Sequence, residues 1–379
     1  MIQIKGITLR EIRLPLVDPF RTARGIVDAR RVILLELRDG DGATAWSECV
    51  AENVAGYSHE TVDSCWHTLT AAIGPSVAGK SFASPREVHA HLARLYPRDR
   101  MARAAIEMGC WGMQSLQHST ALAEMLAREC DAAPRATVDA GVALGIFPTT
   151  EELAARCRVS RDEGYRRIKI KIEPGRDVEL AQAALDAVEG QVPVTVDANA
   201  SYTLNDLNTL QSLDSLGLSM IEQPLAANDI SGHADLQSQL RTPVCLDETI
   251  TGAARTEEAI SMQSARIVNL KPGRVGGFTE SLAIHSLCSQ AGIAMWCGGM
   301  LETGIGRAYN VALASLPHFN LPGDLSPSSR YWQRDVITEP WQMTNGTLRV
   351  PADRPGIGVE VDEDFIDCIT VRRETIRAS

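Results

Sequence analysis

The chain has no run approaching the roughly 20 consecutive apolar residues that a membrane-spanning helix needs. Its opening, MIQIKGITLREIRLPL, interleaves charges with single apolar residues where a signal peptide would be continuously apolar. No membrane partner and a cytoplasmic location are therefore the expectation. Positive charge is in deficit, with 37 Lys and Arg against 48 Asp and Glu and a formal net charge of -11. Polyanions are bound through an excess of basic residues, so no nucleic-acid partner is expected either. The nine cysteines form no CxxC pair, and their odd number suits reduced thiols used as small core residues better than a disulfide framework. The eight histidines show no HExxH or other ligand spacing, which argues against zinc. Low-complexity segments and charged tails are missing too.

What remains is a chain of 379 residues, 44% hydrophobic, long enough for two cores. Residues 1–50 read as an antiparallel meander: IQIKGITLREIRLPL, RRVILLELRDG, a DGDG turn and ATAWSECV. Helical spacing follows over 59–73, 85–95 and 100–126. Strands and helices in separate blocks predict an α+β domain over 1–125. From about residue 135 strand and helix alternate: VDAGVALGI, RRIKIKI, VPVTVDA, LSMIEQP, TPVCLDE, ARIVNLK, IAMWCGG and HFNLPG. Eight strand candidates, with helices such as 177–188 and 278–291 between them, suit a parallel (β/α)8-type barrel over 126–325. Residues 326–379 break the rhythm and are expected to return to the first domain.

The barrel segment carries a ladder of charges. Lys169 and Lys171, Asp197, Glu222, Asp247 and Lys271 each close a short apolar run, and the last five are spaced by 26, 25, 25 and 24 residues. That is the length of one strand and one helix with short connections. Side chains alternate faces along a strand, so in Ile168-Lys169-Ile170-Lys171-Ile172 the lysines face one way and the isoleucines the other. Isoleucines toward the helices place the lysines inside. The same parity turns Thr195 and Asp197, and Asn269 and Lys271, inward at the strands' C-terminal ends, where barrel enzymes keep their sites. Strands 2 and 6 lie half a turn apart, so the lysines oppose each other with three carboxylates between.

Three inward carboxylates strand buried charge without a cation, and all-oxygen donors select a hard divalent ion. Mg2+ is the natural choice, with Mn2+ or Co2+ as substitutes. Such an ion stabilises the enediolate formed when a carboxylic acid loses its α-proton. A neutral lysine serves as base if burial and neighbouring positive charge depress its pKa, and Lys169 and Arg274 stand close in sequence to Lys171 and Lys271. One lysine on each face is the layout of a racemase or epimerase. Any single rung alone reads as a solvated strand end or a helix cap; five in register and parity do not.

At KIKI, VDAN, IEQP, LDE, NLKPGRVGG and CGGMLETG the chain resembles the enolase superfamily, in its muconate lactonizing enzyme subgroup. Within it the likeness is to N-succinylamino acid racemases and o-succinylbenzoate synthases. DPFRT, NVALASLP and LPGD extend the likeness over nearly the whole chain. The resemblance implies a modified (β/α)7β barrel of the TIM type under an α+β cap completed by the C-terminal segment. It also implies Mg2+ at Asp197, Glu222 and Asp247, acid/base lysines at Lys171 and Lys271, and assistance from Lys169. Asn199, Glu248 and Arg274 would stand behind these groups, Arg274 being associated with racemising members. Cap loops near 18–25 and 50–57 would close over a small-molecule carboxylate, with substrate contacts at Arg24, Tyr57, Ala143, Gly299, Met300, Leu301 and Tyr331. A homo-oligomer is implied as well. Three departures bear on acyl-group and side-chain preference: Arg24 stands where relatives often have an apolar residue, Ser47 where Gly is common, and Ala143 where many have Ser.

Other signals are set aside. Residues 74–81, GPSVAGKS, match GxxxxGK[ST], but a helical pattern precedes them where a phosphate loop needs a strand; they read as a loop between cap helices. Gly298, Gly299 and Gly304 lack dinucleotide spacing and read as close approach to substrate. Trp111 and Met108 fall on an apolar helical stripe and read as core. Racemisation of N-acylated amino acids, preferably N-succinyl, leads. The alternative is o-succinylbenzoate synthase, a dehydrating lyase, alone or as a second activity. A non-catalytic metal-binding barrel is disfavoured, because metal binding does not require the two lysines. Arg24 is expected to pair with an acidic acyl tail.

Overall fold

The structure, a computed structural model, describes residues 1–22 and 25–377. Strands Gly6–Thr22, Gly25–Arg38 and Thr44–Cys49 pair antiparallel as the meander predicts. Strand Thr370–Arg377 returns from the far end of the chain to pair with the first of them. This sheet is packed on both faces over its central part, which explains the continuous apolar run Val32-Ile33-Leu34-Leu35 in its middle strand. Ile33, Leu35 and Leu37 face Met101, Ala102 and Ile106 of helix Arg100–Gln117, while Ile12, Leu14, Val32 and Leu34 join the barrel's core. Trp111 and Met108 are buried there, as their stripe predicts.

The segment matching the phosphate-loop pattern is helical over Gly74–Val77 and continues the preceding helix, so it is neither a phosphate cradle nor the loop expected. Among the described residues no helix is long and apolar enough to cross a membrane. All nine cysteines are unpaired.

Seven parallel strands form the barrel sheet in chain order: Gly141–Leu144, Arg167–Lys171, Val194–Asp197, Ile221–Glu222, Val244–Leu246, Ile267–Leu270 and Ala294–Cys297. Helices between them include Val178–Val188, capped by Asp177, and Phe278–Ala291. The eighth expected strand, HFNLPG, is not a regular strand. Pro322 has no amide to donate, and closure rests on isolated hydrogen bonds: Leu321 N to Met295 O and Asp324 N to Cys297 O on one side, Gly323 N to Asp139 O and Gly141 N to Gly323 O on the other. The expected first strand also divides. Thr137–Asp139 pairs antiparallel with Thr347–Arg349, beyond an Asn345-Gly346 turn with positive φ at both residues, and the barrel strand starts only at Gly141.

Candidate active site

The parity argument holds at each rung. Ile168, Ile170, Val194, Val196 and Leu270 pack in the core shared with the helices. Register sets Lys171 beside Asp197, and Asp197 beside Glu222. Lys169, Lys171 and Lys271 line one cavity, with Asn199 and Asp324. Lys171 and Lys271 end strands four places apart in the curled sheet and so stand on opposite walls.

Each lysine is held by a different carboxylate. Lys171 Nζ lies 2.5 Å from Asp197 Oδ2 and 2.9 Å from Asn199 Oδ1, and Asn199 Nδ2 donates to Glu248 Oε1 at 3.3 Å. Lys271 Nζ lies 2.9 Å from Asp247 Oδ2 and 3.1 Å from the Tyr57 hydroxyl. Arg274 reaches Asp247 with Nη1 and anchors itself on the Ile250 and Asn269 carbonyls. Tyr57 comes from the cap: its hydroxyl donates to Asp247 Oδ1 at 2.9 Å, and its ring covers Lys271 Nζ at 4.6 Å. Gln223, which follows Glu222 in IEQP, accepts the amides of Asp247 and Thr249 and thereby fixes the backbone that presents Asp247 and Glu248.

The neighbouring carboxylates set the charge of two of the lysines. Burial pulls the Lys271 pKa down, but Asp247, Tyr57 and Glu222 together outweigh it and the ammonium stays well above the ordinary lysine range. Lys169 behaves alike: burial is outweighed by Asp324, Glu222 and Asp197, at 2.7, 3.0 and 3.5 Å. Adjacent carboxylates lie nearer than the other cations, so attraction exceeds the expected repulsion. Burial would raise Asp247, yet Lys271 and Arg274 hold it below the usual carboxylate range. Glu222 is pushed up by burial and by Asp197.

Asp324 lies outside the ladder, which ends at Lys271. It bridges Lys169 and Arg167, whose Nη2 is 2.6 Å from Oδ1.

Tyr57, Ala143, Gly299, Met300, Leu301 and Tyr331 all line the cavity. Arg24 lies outside the described residues. Ser47 points away, its hydroxyl donating to Ala105 O at 2.7 Å in the cap helix. Gly298 is small for a reason other than substrate approach: a Cβ there would stand 2.1 Å from Asn269 Oδ1 and 2.6 Å from Lys271 Cε. At Gly304 the neighbour is Ile337, again not the cavity.

The donor set suits a hard cation. Among the described residues no three acidic, histidine or cysteine side chains converge on one point as they stand, Asp197 and Asp247 leaning on their lysines. Glu222 Oε2 is buried, faces Lys169 Nζ at 3.0 Å without a well-formed hydrogen bond, and lies between strands that end in Asp197 and lead to Asp247.

Known proteins share this architecture. Residues 4–127 match the mandelate racemase / muconate lactonizing enzyme N-terminal domain, and residues 152–365 match the family described as enolase C-terminal domain-like. The o-succinylbenzoate synthase of Bacillus subtilis (strain 168) is 43% identical over 366 residues, 97% of this chain and 96% of the relative. The N-succinylamino acid racemase of an Amycolatopsis species is 41% identical over 372 residues, 98% of this chain and 99% of the relative. A crystal structure of an enolase-superfamily member from Listeria innocua Clip11262 has a TM-score of 0.93 at 33% identity and covers 100% of both chains.

Proposed function

We propose, given that this chain belongs to the enolase superfamily and is an enzyme of it, that it racemises N-acylamino acids, N-succinyl derivatives above all, by 1,1-proton transfer. The observation that carries the reading is the pair Lys171 and Lys271 on opposite walls of one cavity, with Asp197, Glu222 and Asp247 on the strands between them. The three carboxylates are the residues that would hold Mg2+, for which the all-oxygen donor set speaks, as does Glu222 Oε2, buried beside the Lys169 ammonium without a well-formed hydrogen bond. When bound, the ion supplies positive charge opposite the substrate carboxylate.

The protein's own groups handle the proton. Lys171 Nζ takes or returns it on one face and Lys271 Nζ on the other. Asn199 orients the first amine, and Tyr57 with Arg274 surrounds the second. Lys169, paired to Asp324 and Glu222, serves as a fixed cation. Tyr57 and the wall formed by Met300 and Leu301 enclose the substrate away from water. The test is solvent exchange: with Mg2+ in deuterated water, both enantiomers of an N-succinylamino acid should acquire α-deuterium. If neither does, the reading is wrong.

A second reading is favoured by the 43% identity to a relative named o-succinylbenzoate synthase. Lys171 would then remove the α-proton of a hydroxylated succinyl-cyclohexadiene carboxylate, whose β-hydroxyl departs as water to leave the aromatic ring, the opposite lysine steadying the charge. Ultraviolet absorbance of the aromatic product distinguishes it from racemisation.

A further inference from the structure

Two buried glutamates join the cap to the barrel, and the proton chemistry uses neither. Glu107, on the cap helix Arg100–Gln117, accepts the amides of Phe278 and Thr279 at 2.8 Å each, at the start of helix Phe278–Ala291. Glu48, on strand Thr44–Cys49, does the same for helix Gly304–Ala314. Its Oε2 accepts Thr303 N at 3.1 Å, Thr303 Oγ1 at 2.6 Å and Gly306 N at 3.1 Å. A carboxylate at a helix N-terminus satisfies amides that have no partner within the helix and meets the positive end of its dipole.

Glu48 differs from Glu107 in what precedes its helix. Gly299, Met300 and Leu301 line the cavity, and Leu301 holds a left-handed backbone, φ 57°, which costs free energy in a non-glycine residue. Met300 belongs to the barrel chain, yet it is buried in the apolar cluster of the cap with Leu35, Cys49 and Val50. Its amide donates to Glu302 Oε1 at 2.8 Å, and Glu302 directly precedes Thr303. This wall of the cavity is therefore a short arch, with one foot on the seventh strand and the other clamped by Glu48 from the cap. Gly306 makes room for the clamp, since a Cβ there would stand 2.7 Å from Glu48 Oε2.

We infer that Glu48 is a positioning residue for substrate selectivity: from outside the cavity it sets how far Met300 and Leu301 reach inward, and so which side chain or acyl group fits. The inference rests on the proposed N-acylamino acid chemistry for its choice of substrates. It requires that loosening the clamp alter discrimination between substrates more than the proton transfer itself.

The test compares Glu48→Ala, Glu48→Gln and Thr303→Val in the full-length protein. Hydrogen exchange, followed by mass spectrometry on peptides covering 299–306, reads the arch without any turnover. Glu48→Ala should speed exchange there about tenfold, as expected for local opening, while the other barrel peptides keep their protection. Steady-state kinetics on N-succinyl derivatives of a small and a large apolar amino acid reads selectivity. The ratio of their kcat/KM values should move about fivefold, the factor one lost helix cap carries, through KM while kcat for the better substrate stays within about twofold. Glu48→Gln keeps one acceptor oxygen and should fall between. Thr303→Val weakens the clamp from the barrel side and serves if Glu48→Ala does not fold. Unchanged exchange over 299–306 overturns the inference, and so does an equal fall in kcat/KM for both substrates. If the wild-type protein turns over no N-acylamino acid, the proposed function fails, and the exchange measurement still decides whether Glu48 holds the arch.

Discussion

Replacing Lys271 by alanine is expected to stop α-proton exchange in one enantiomer of an N-succinylamino acid and to leave the other enantiomer exchanging. Lys171→Ala should do the reverse, and both should abolish racemisation. The structure indicates that these losses will report chemistry and not unfolding. Without Lys271, Asp247 keeps Arg274 and the Tyr57 hydroxyl at 2.9 Å; without Lys171, Asp197 keeps Lys169 at 3.5 Å. Neither change strands a buried carboxylate without a partner, the condition that makes breaking an ion pair severe. Removal of a positioned base costs about a hundredfold to ten-thousandfold in rate. That factor is about 3–5 kcal/mol of transition-state stabilisation. Proton NMR in deuterated water, with each enantiomer incubated separately with Mg2+, follows loss of the α-proton signal. Equal losses for both enantiomers in each variant would refute the two-face reasoning. So would a decrease of less than about tenfold for the enantiomer each lysine is assigned.

Asp324→Asn should destabilise the protein by about 3–5 kcal/mol in a urea titration, because it removes the buried counter-charge of both Lys169 and Arg167. A change below about 1 kcal/mol would show that the remaining carboxylates satisfy Lys169 unaided. Chelation of divalent ions should abolish exchange, with Mg2+ restoring it and Mn2+ or Co2+ substituting; full exchange in the chelated protein would remove the ion from the mechanism. For Glu48, burial, opposed by the Thr303 hydrogen bonds and reinforced by Glu302, pushes the carboxyl from 4.5 up to about 7. The folded state then holds a proton that the unfolded chain has released, so this group's contribution is complete below pH 4.5 and is lost as pH rises through 7. The stability of the wild type relative to Glu48→Gln should fall by about 3 kcal/mol across that window. A constant difference in denaturant titrations at its two ends would contradict it.

The strands and their inward faces were legible because period-two alternation is a local property. Ile168, Ile170, Val194 and Val196 could face only the helices, which turned Lys169, Lys171 and Asp197 inward. The helices expected over 177–188 and 278–291 form at 178–188 and 278–291, in the connections left between successive barrel strands. HFNLPG misled because its apolar residues resemble a strand, whereas Pro322 removes a ladder donor. Asp324 escaped notice because its partners Lys169 and Arg167 lie more than 150 residues away, at |i−j| = 157 for the arginine, and only barrel closure brings them together. The charges that surround Lys271 were hidden for a related reason: which group lies at 2.9 Å and which lies farther off is a distance, and spacing along the chain does not supply it.

The sequence by itself determined which residues meet. A repeat of strand plus helix places one side chain per period at the same rim, so the ladder from Lys169 to Lys271 specifies a ring of lysines around three carboxylates before any coordinates exist. Only the tertiary structure decided how that ring is charged and enclosed. Tyr57 reaches Lys271 across a separation of 214 residues, and Glu48 clamps Thr303 across 255. Such contacts depend on how the cap sheet docks against the barrel, which is set by shape and burial over both surfaces and not by any local pattern.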